Sequence, residues 1–104
     1  MSKSRIEQLK ELLNKDPNNA LGTYGLANEY YKTGDFMKSI IELERYFSLK
    51  DDEGAAYRLL AESYYNLGNK QKAIEAYKKG IEASLKHGHP SMAEEFEEAI
   101  EFMD

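Results

Sequence analysis

The sequence predicts an all-α fold built from repeated antiparallel helix pairs, and two observations carry that reading. The first is periodicity. Within residues 54–87, Tyr57, Leu60, Ala61 and Tyr64 fall at i, i+3, i+4 and i+7, the spacing that lays one continuous apolar stripe along a helix. Asn66-Leu67-Gly68-Asn69 interrupts the period. Ala73, Ile74, Tyr77, Gly80, Ile81 and Leu85 then mark the face of a second helix, with Asn69 placed to accept from its first-turn amides. The second observation is repetition. Thr23, Leu26, Ala27, Tyr30, Tyr31, Gly34 and Ile40 stand 34 residues upstream of Tyr57, Leu60, Ala61, Tyr64, Tyr65, Gly68 and Ile74. A unit repeated in tandem at a fixed period is the mark of a solenoid, in which each helix pair covers the apolar face of the next.

The matched motifs are Leu26-Ala27, Tyr30 and Gly34-Asp35 in one copy, and Tyr57, Leu60-Ala61, Tyr64, Gly68-Asn69, Ala73 and Tyr77 in the other. With a period of about 34, this large/Leu/small/Tyr pattern resembles the tetratricopeptide repeat. The resemblance implies antiparallel helix-turn-helix repeats stacked as a short right-handed superhelix, an α-solenoid. The expected domain spans 1–104, with a half repeat and turn at 4–19, repeats at 20–53 and 54–87, and a C-terminal capping helix at 90–103.

Each element has its own local justification. Ser4-Arg5-Ile6-Glu7 is a capping box, and Ile6, Leu9, Leu12 and Leu13 form one face of a helix over 4–15. In repeat register this is a lone second helix, followed at Asp16-Pro17-Asn18-Asn19 by the turn with which tetratricopeptide units end. Residues 20–33 form the next helix, with Asn18 or Asn19 as N-cap; Gly22 and Gly25 cost it about 1 kcal/mol each in propensity, which packing must offset. Gly34-Asp35 turns the chain, and residues 36–50 pair back through Phe36, Ile40, Leu43 and Phe47. This repeat departs from the family pattern in three places. Tyr46 fills a slot normally small, Ser39 stands where Ala is usual, and Asp51 replaces the inter-repeat proline.

The second repeat ends at Leu85-Lys86-His87, with Gly88 as its C-terminal cap and Lys86 and His87 at the negative end of the helix dipole. Gly80 lies inside a helix, where it implies the close approach of another backbone. Ser91-Met92-Ala93-Glu94 reads as a second capping box, opening a tail helix with Met92, Phe96, Ala99, Ile100 and Met103 on one face. Adding 34 to Ala55, Arg58, Glu62 and Tyr65 lands on His89, Met92, Phe96 and Ala99. The tail is therefore expected to cross the end of the second repeat near Gly80, as cap and lid together, with Glu95 facing water.

Composition limits function. The chain of 104 residues has length for one domain and no cysteine, so neither disulfides nor thiolate metal sites are available. The start, Met1-Ser2-Lys3-Ser4-Arg5-Ile6-Glu7, lacks an apolar signal core, and nowhere do about 18 apolar residues run together. The expectation is a soluble, cytoplasmic protein with no membrane partner. The net charge is −5, of which residues 89–104 carry −6 and the remainder +1, a distribution without the basic stripe that nucleic acid requires. The acidic tail reads as a solvated helix face. No arrangement of nucleophile and base suggests catalysis. His87, His89 and Glu94 are read as dipole partner, loop and surface groups rather than a metal site, so the expectation is a non-enzymatic chain with no cofactor and no metal.

In tetratricopeptide proteins a second stripe on the first helices lines a concave groove. Its counterparts here are Leu21, Tyr24, Asn28 and Tyr31 in one repeat and Ala55, Arg58, Glu62 and Tyr65 in the next, with Lys32 and Asn66 at the rim. Aromatic area combined with amide and charge suits an extended peptide or a partner helix. The competing reading is that the tyrosines fill space between helices and Arg58 pairs with Glu62 at i, i+4. A carboxylate clamp of the kind some family members carry is rejected. Asn28 matches one of its positions, but Tyr24, Leu59, His89 and Ala93 replace the others, and Glu62 would repel a carboxylate. The resemblance therefore implies an adaptor for a protein or peptide partner; the alternative is a structural or self-assembling module whose terminal helices bind further copies of the chain.

Overall fold

A computed structural model describes residues 3–103, and the described residues form six α-helices and no strand. These are α1 (Arg5–Lys15), α2 (Ala20–Lys32), α3 (Phe36–Leu49), α4 (Ala55–Asn66), α5 (Lys70–Lys86) and α6 (Pro90–Met103). They sort into two compact units, residues 1–51 with α1–α3 and residues 52–104 with α4–α6. Within each unit, helices consecutive in sequence pack on one another.

The same turn joins α2 to α3 and α4 to α5. The Gly34 amide donates to the Tyr31 carbonyl and the Asp35 amide to the Tyr30 carbonyl; Gly68 and Asn69 repeat this on Tyr65 and Tyr64. This is the Schellman closure of a helix C-terminus, which needs a left-handed residue, and both glycines have φ of 81°. The residue after each glycine immediately caps the next helix: Asp35 accepts from the Lys38 amide and Asn69 from the Lys72 amide. One short segment thus ends one helix and starts the next, which sets the antiparallel pair. A third copy, at Gly88-His89, joins α5 to α6.

In the first unit, Ser4 caps α1 through the Glu7 amide and Asn19 caps α2 through the Gly22 amide. Leu9 and Leu13 of α1 form one buried cluster with Leu26 and Tyr30 of α2, with Ile6 against its edge. The glycines of α2 face this contact. A methyl at Gly22 would lie 2.9 Å from Leu12 Cδ2, and one at Gly25 would lie 3.4 Å from Leu9 Cδ2. Close approach of α1 is thus what offsets their low helix propensity. Between α2 and α3, Ala27, Ser39 and Leu43 are fully buried, and Ser39 Oγ donates to the Ala27 carbonyl at 2.9 Å. The hydroxyl that replaces the usual methyl is therefore satisfied. Tyr46 is buried with its ring 5.2 Å from that of Tyr24.

In the second unit α4 packs on α5, and Ala56, Leu60 and Ala61 of α4 and Ala73 and Ala76 of α5 are buried. Asp52, itself buried, accepts from the amides of Gly54 and Ala56 at 2.8 and 3.0 Å, so a residue two positions before the cap satisfies the start of α4. Tyr64, expected in the core, is only half-buried. It sits near the open end of α4, where Lys72 Nζ lies 5.6 Å from its ring centre.

The most consequential difference between the units follows from one alignment. Tyr24 and Tyr46 correspond, 34 residues on, to Arg58 and Gly80. Where the first unit packs two tilted tyrosine rings together, the second leaves a notch that Phe96 of α6 fills. A methyl at Gly80 would lie 2.7 Å from Phe96 Cε2 and 3.0 Å from Tyr57 Cβ. The close approach at Gly80 is thus made by a ring, not by a neighbouring backbone. Phe96 is almost completely buried, tilted on Tyr77 at 5.4 Å and covered by the Arg58 guanidinium at 5.3 Å. The start of α6 also differs from expectation. The helix opens at Pro90, whose ring presets φ and which has no amide to satisfy, so Ser91 lies inside the first turn rather than capping it.

Candidate functional site

The stripe singled out on the first helices is described in each unit by itself. On α2, Leu21 is 82% exposed and Lys32 is exposed, its Nζ 3.2 Å from Glu29 Oε2. Tyr24, Asn28 and Tyr31 are half-buried. Tyr24 leans on Tyr46 and Tyr31 on Phe36, with the latter centroids 5.5 Å apart. Each ring therefore packs against an aromatic side chain of α3 while its residue stays partly accessible, so space-filling and surface roles coexist in the same side chains.

On α4, Arg58 and Glu62 are half-buried and Tyr65 and Asn66 are exposed, Tyr65 by 57%. Arg58 reaches the tail helix: its Nη2 lies 2.6 Å from Glu95 Oε2, and its guanidinium covers Phe96. Arg58, which the competing reading pairs with Glu62 at i, i+4, thus makes an ion pair across to α6, because Phe96 in the Gly80 notch brings Glu95 within reach. Glu95, expected only to face water, is exposed yet ion-paired. His89 Nε2 lies within hydrogen-bond distance of Glu53 Oε1, at 2.7 Å. Asn66 Nδ2 donates to the Glu62 carbonyl at 2.8 Å.

Sequence reasoning missed a cleft between the C-terminal half of α4 and the end of α6. It encloses about 260 Å3 and is walled by Glu62, Tyr65 and Asn66 of α4, Tyr77 of α5, and Ala99, Phe102 and Met103 of α6. Burial pushes the Tyr77 phenol up from its ordinary value; the nearby Glu62 charge acts in the same direction and Arg58 opposes it. Phe102 is 97% exposed at the cleft mouth. The signal was present in the sequence, since Phe102 is the large apolar residue of α6 that falls outside its buried face.

Tandem two-helix units closed by the same Schellman turn, with small residues at the helix crossing and tyrosines on the accessible stripe, define the chain as a helical repeat protein. Residues 54–87 match the family model for the tetratricopeptide repeat, the bounds that the internal periodicity marks. A TPR repeat-containing protein of Pseudomonas aeruginosa is 29% identical over 83 residues, covering 80% of this chain and 79% of that protein. Residues 54–87 thus match a tetratricopeptide repeat, and over most of its length the chain is similar to a protein that carries such repeats, a class whose domains mediate protein–protein interaction. Among the described residues no helix is long and apolar enough to cross a membrane.

Proposed function

We propose that this protein is a non-enzymatic adaptor that holds a peptide or helix of a partner protein on the accessible stripe of its first helices. The observation that carries the reading is the treatment of Tyr31 and Tyr65, which occupy the same position in the two repeats. Both keep accessible ring surface, while Leu26, Ala27, Leu60 and Ala61 one face away are buried. Tyrosine exposed on a rigid helix offers contact area at low entropic cost, and Asn28 and Asn66 beside it supply amide donors and acceptors. The groove residues of the reading are Leu21, Tyr24, Asn28, Tyr31 and Lys32 on α2, with Arg58, Glu62, Tyr65 and Asn66 on α4.

The test is affinity capture from the source cell with the wild-type chain and with a Tyr31→Ala, Tyr65→Ala double variant. Proteins retained by the former and lost by the folded latter are expected. Identical capture by both would defeat the stripe as the binding surface. A second reading, self-association through terminal helices, draws on Phe102, whose exposure on α6 leaves an aromatic ring in water. Light scattering across a concentration series separates the two, since a monomer throughout removes self-association.

A further inference from the structure

We propose that the cleft between α4 and α6 is a specificity pocket for a basic side chain of the partner, a lysine or arginine flanked by apolar residues. This rests on the protein-binding reading above and adds the chemistry of what is bound. The cleft has the right size. At about 260 Å3 it falls below the roughly 300–1,000 Å3 of pockets that enclose a drug-sized ligand, and so it suits one or two side chains.

Its walls are suited to a long cationic chain. Tyr65 and Phe102 present accessible rings at one mouth, and Tyr77 and Ala99 add apolar surface. Such walls take the methylene stem of Lys or Arg, while ring faces attract the cation. Charge complementarity fixes the sign. Glu62 is the charged group among the described residues of the lining, and no Lys or Arg joins it there. Its negative field reaches the buried phenol of Tyr77, where it outweighs the opposing charge of Arg58. Beyond the rim, α6 carries Glu94, Glu95, Glu97, Glu98 and Glu101 and no Lys or Arg, a field that draws cations toward this end of the second unit and disfavours acidic segments.

The test is selection of a random-peptide phage library on the immobilised full-length chain at low salt, followed by fluorescence anisotropy of the enriched peptides. Enrichment of Lys or Arg between apolar residues is expected. Glu62→Gln should weaken those peptides about tenfold, the scale of one lost hydrogen bond to a charged group. Glu62→Lys should shift selection toward acidic peptides. Phe102→Ala, at a residue too exposed to affect folding, should weaken binding several-fold with unchanged thermal stability. Enriched peptides without basic residues, or peptides that bind Glu62→Gln and Phe102→Ala as tightly as wild type, would overturn the pocket; if those peptides still lost affinity for Tyr31→Ala, the adaptor reading would stand. A library that yields no binder defeats both.

Discussion

Replacing Gly80 by alanine sets helix propensity against packing in one methyl group. In a free helix the change would stabilise by about 1 kcal/mol. Here the new carbon would stand 2.7 and 2.9 Å from two ring atoms of Phe96 and 3.0 Å from Tyr57 Cβ, so something must move. The ring is held between Tyr77 and Arg58, and overpacking a site of this kind costs about 1–3 kcal/mol. The net expectation is therefore a loss of about 0–2 kcal/mol, opposite in sign to propensity alone. In a Phe96→Ala background the ring is gone, and Gly80→Ala should become stabilising by up to about 1 kcal/mol. Urea denaturation of the four proteins completes a double-mutant cycle, with an expected coupling of about 1–3 kcal/mol between the two positions. Equal stabilisation by Gly80→Ala in both backgrounds would refute the notch, and with it the account of why α6 lies where it does.

Leu60→Ala, at a buried position of α4, should cost about 2–5 kcal/mol and lower the urea midpoint without changing the slope. Asp52→Ala removes the acceptor of two amides at the start of α4, and an expected loss of about 1–3 kcal/mol would appear as a lower melting temperature and faster amide exchange at Gly54 and Ala56. Glu95→Ala should cost no more than about 1 kcal/mol, since the ion pair is exposed, yet it should shift the Arg58 side-chain NMR signals. Tyr77 gives a pH prediction. Its phenol is raised in the folded state, so the stabilisation is fully present below the ordinary phenol value near 10 and is lost as pH rises through the higher folded value. Wild type should therefore lose stability in that alkaline window faster than Tyr77→Phe, as read by urea midpoints across pH.

The fold was largely legible because it repeats. Apolar spacing and the Gly34-Asp35 and Gly68-Asn69 turns are local signals, and the helices they imply agree with those observed to within a residue or two at each end. Less legible were features that depend on what a side chain meets across space. Periodicity put Gly80 in a helix but could not say that a phenylalanine from the tail would occupy its notch. Arg58 at i, i+4 from Glu62 offered a local pair, and spacing alone could not say that Phe96 would anchor α6 so that Arg58 also reaches Glu95. Asp52 lies outside the usual cap position and was therefore invisible to a motif search. The cleft beside Phe102 needed the packing of α6, which no residue of α4 encodes by itself.

The claim that the first-helix stripe receives the partner is tested most directly by NMR. Backbone amide shifts of the labelled chain are followed as a library-selected peptide is added. The account predicts that the perturbed amides cluster on the accessible faces of α2 and α4, around Tyr31 and Tyr65. Perturbations confined to α3, or to the outer face of α5, would contradict it.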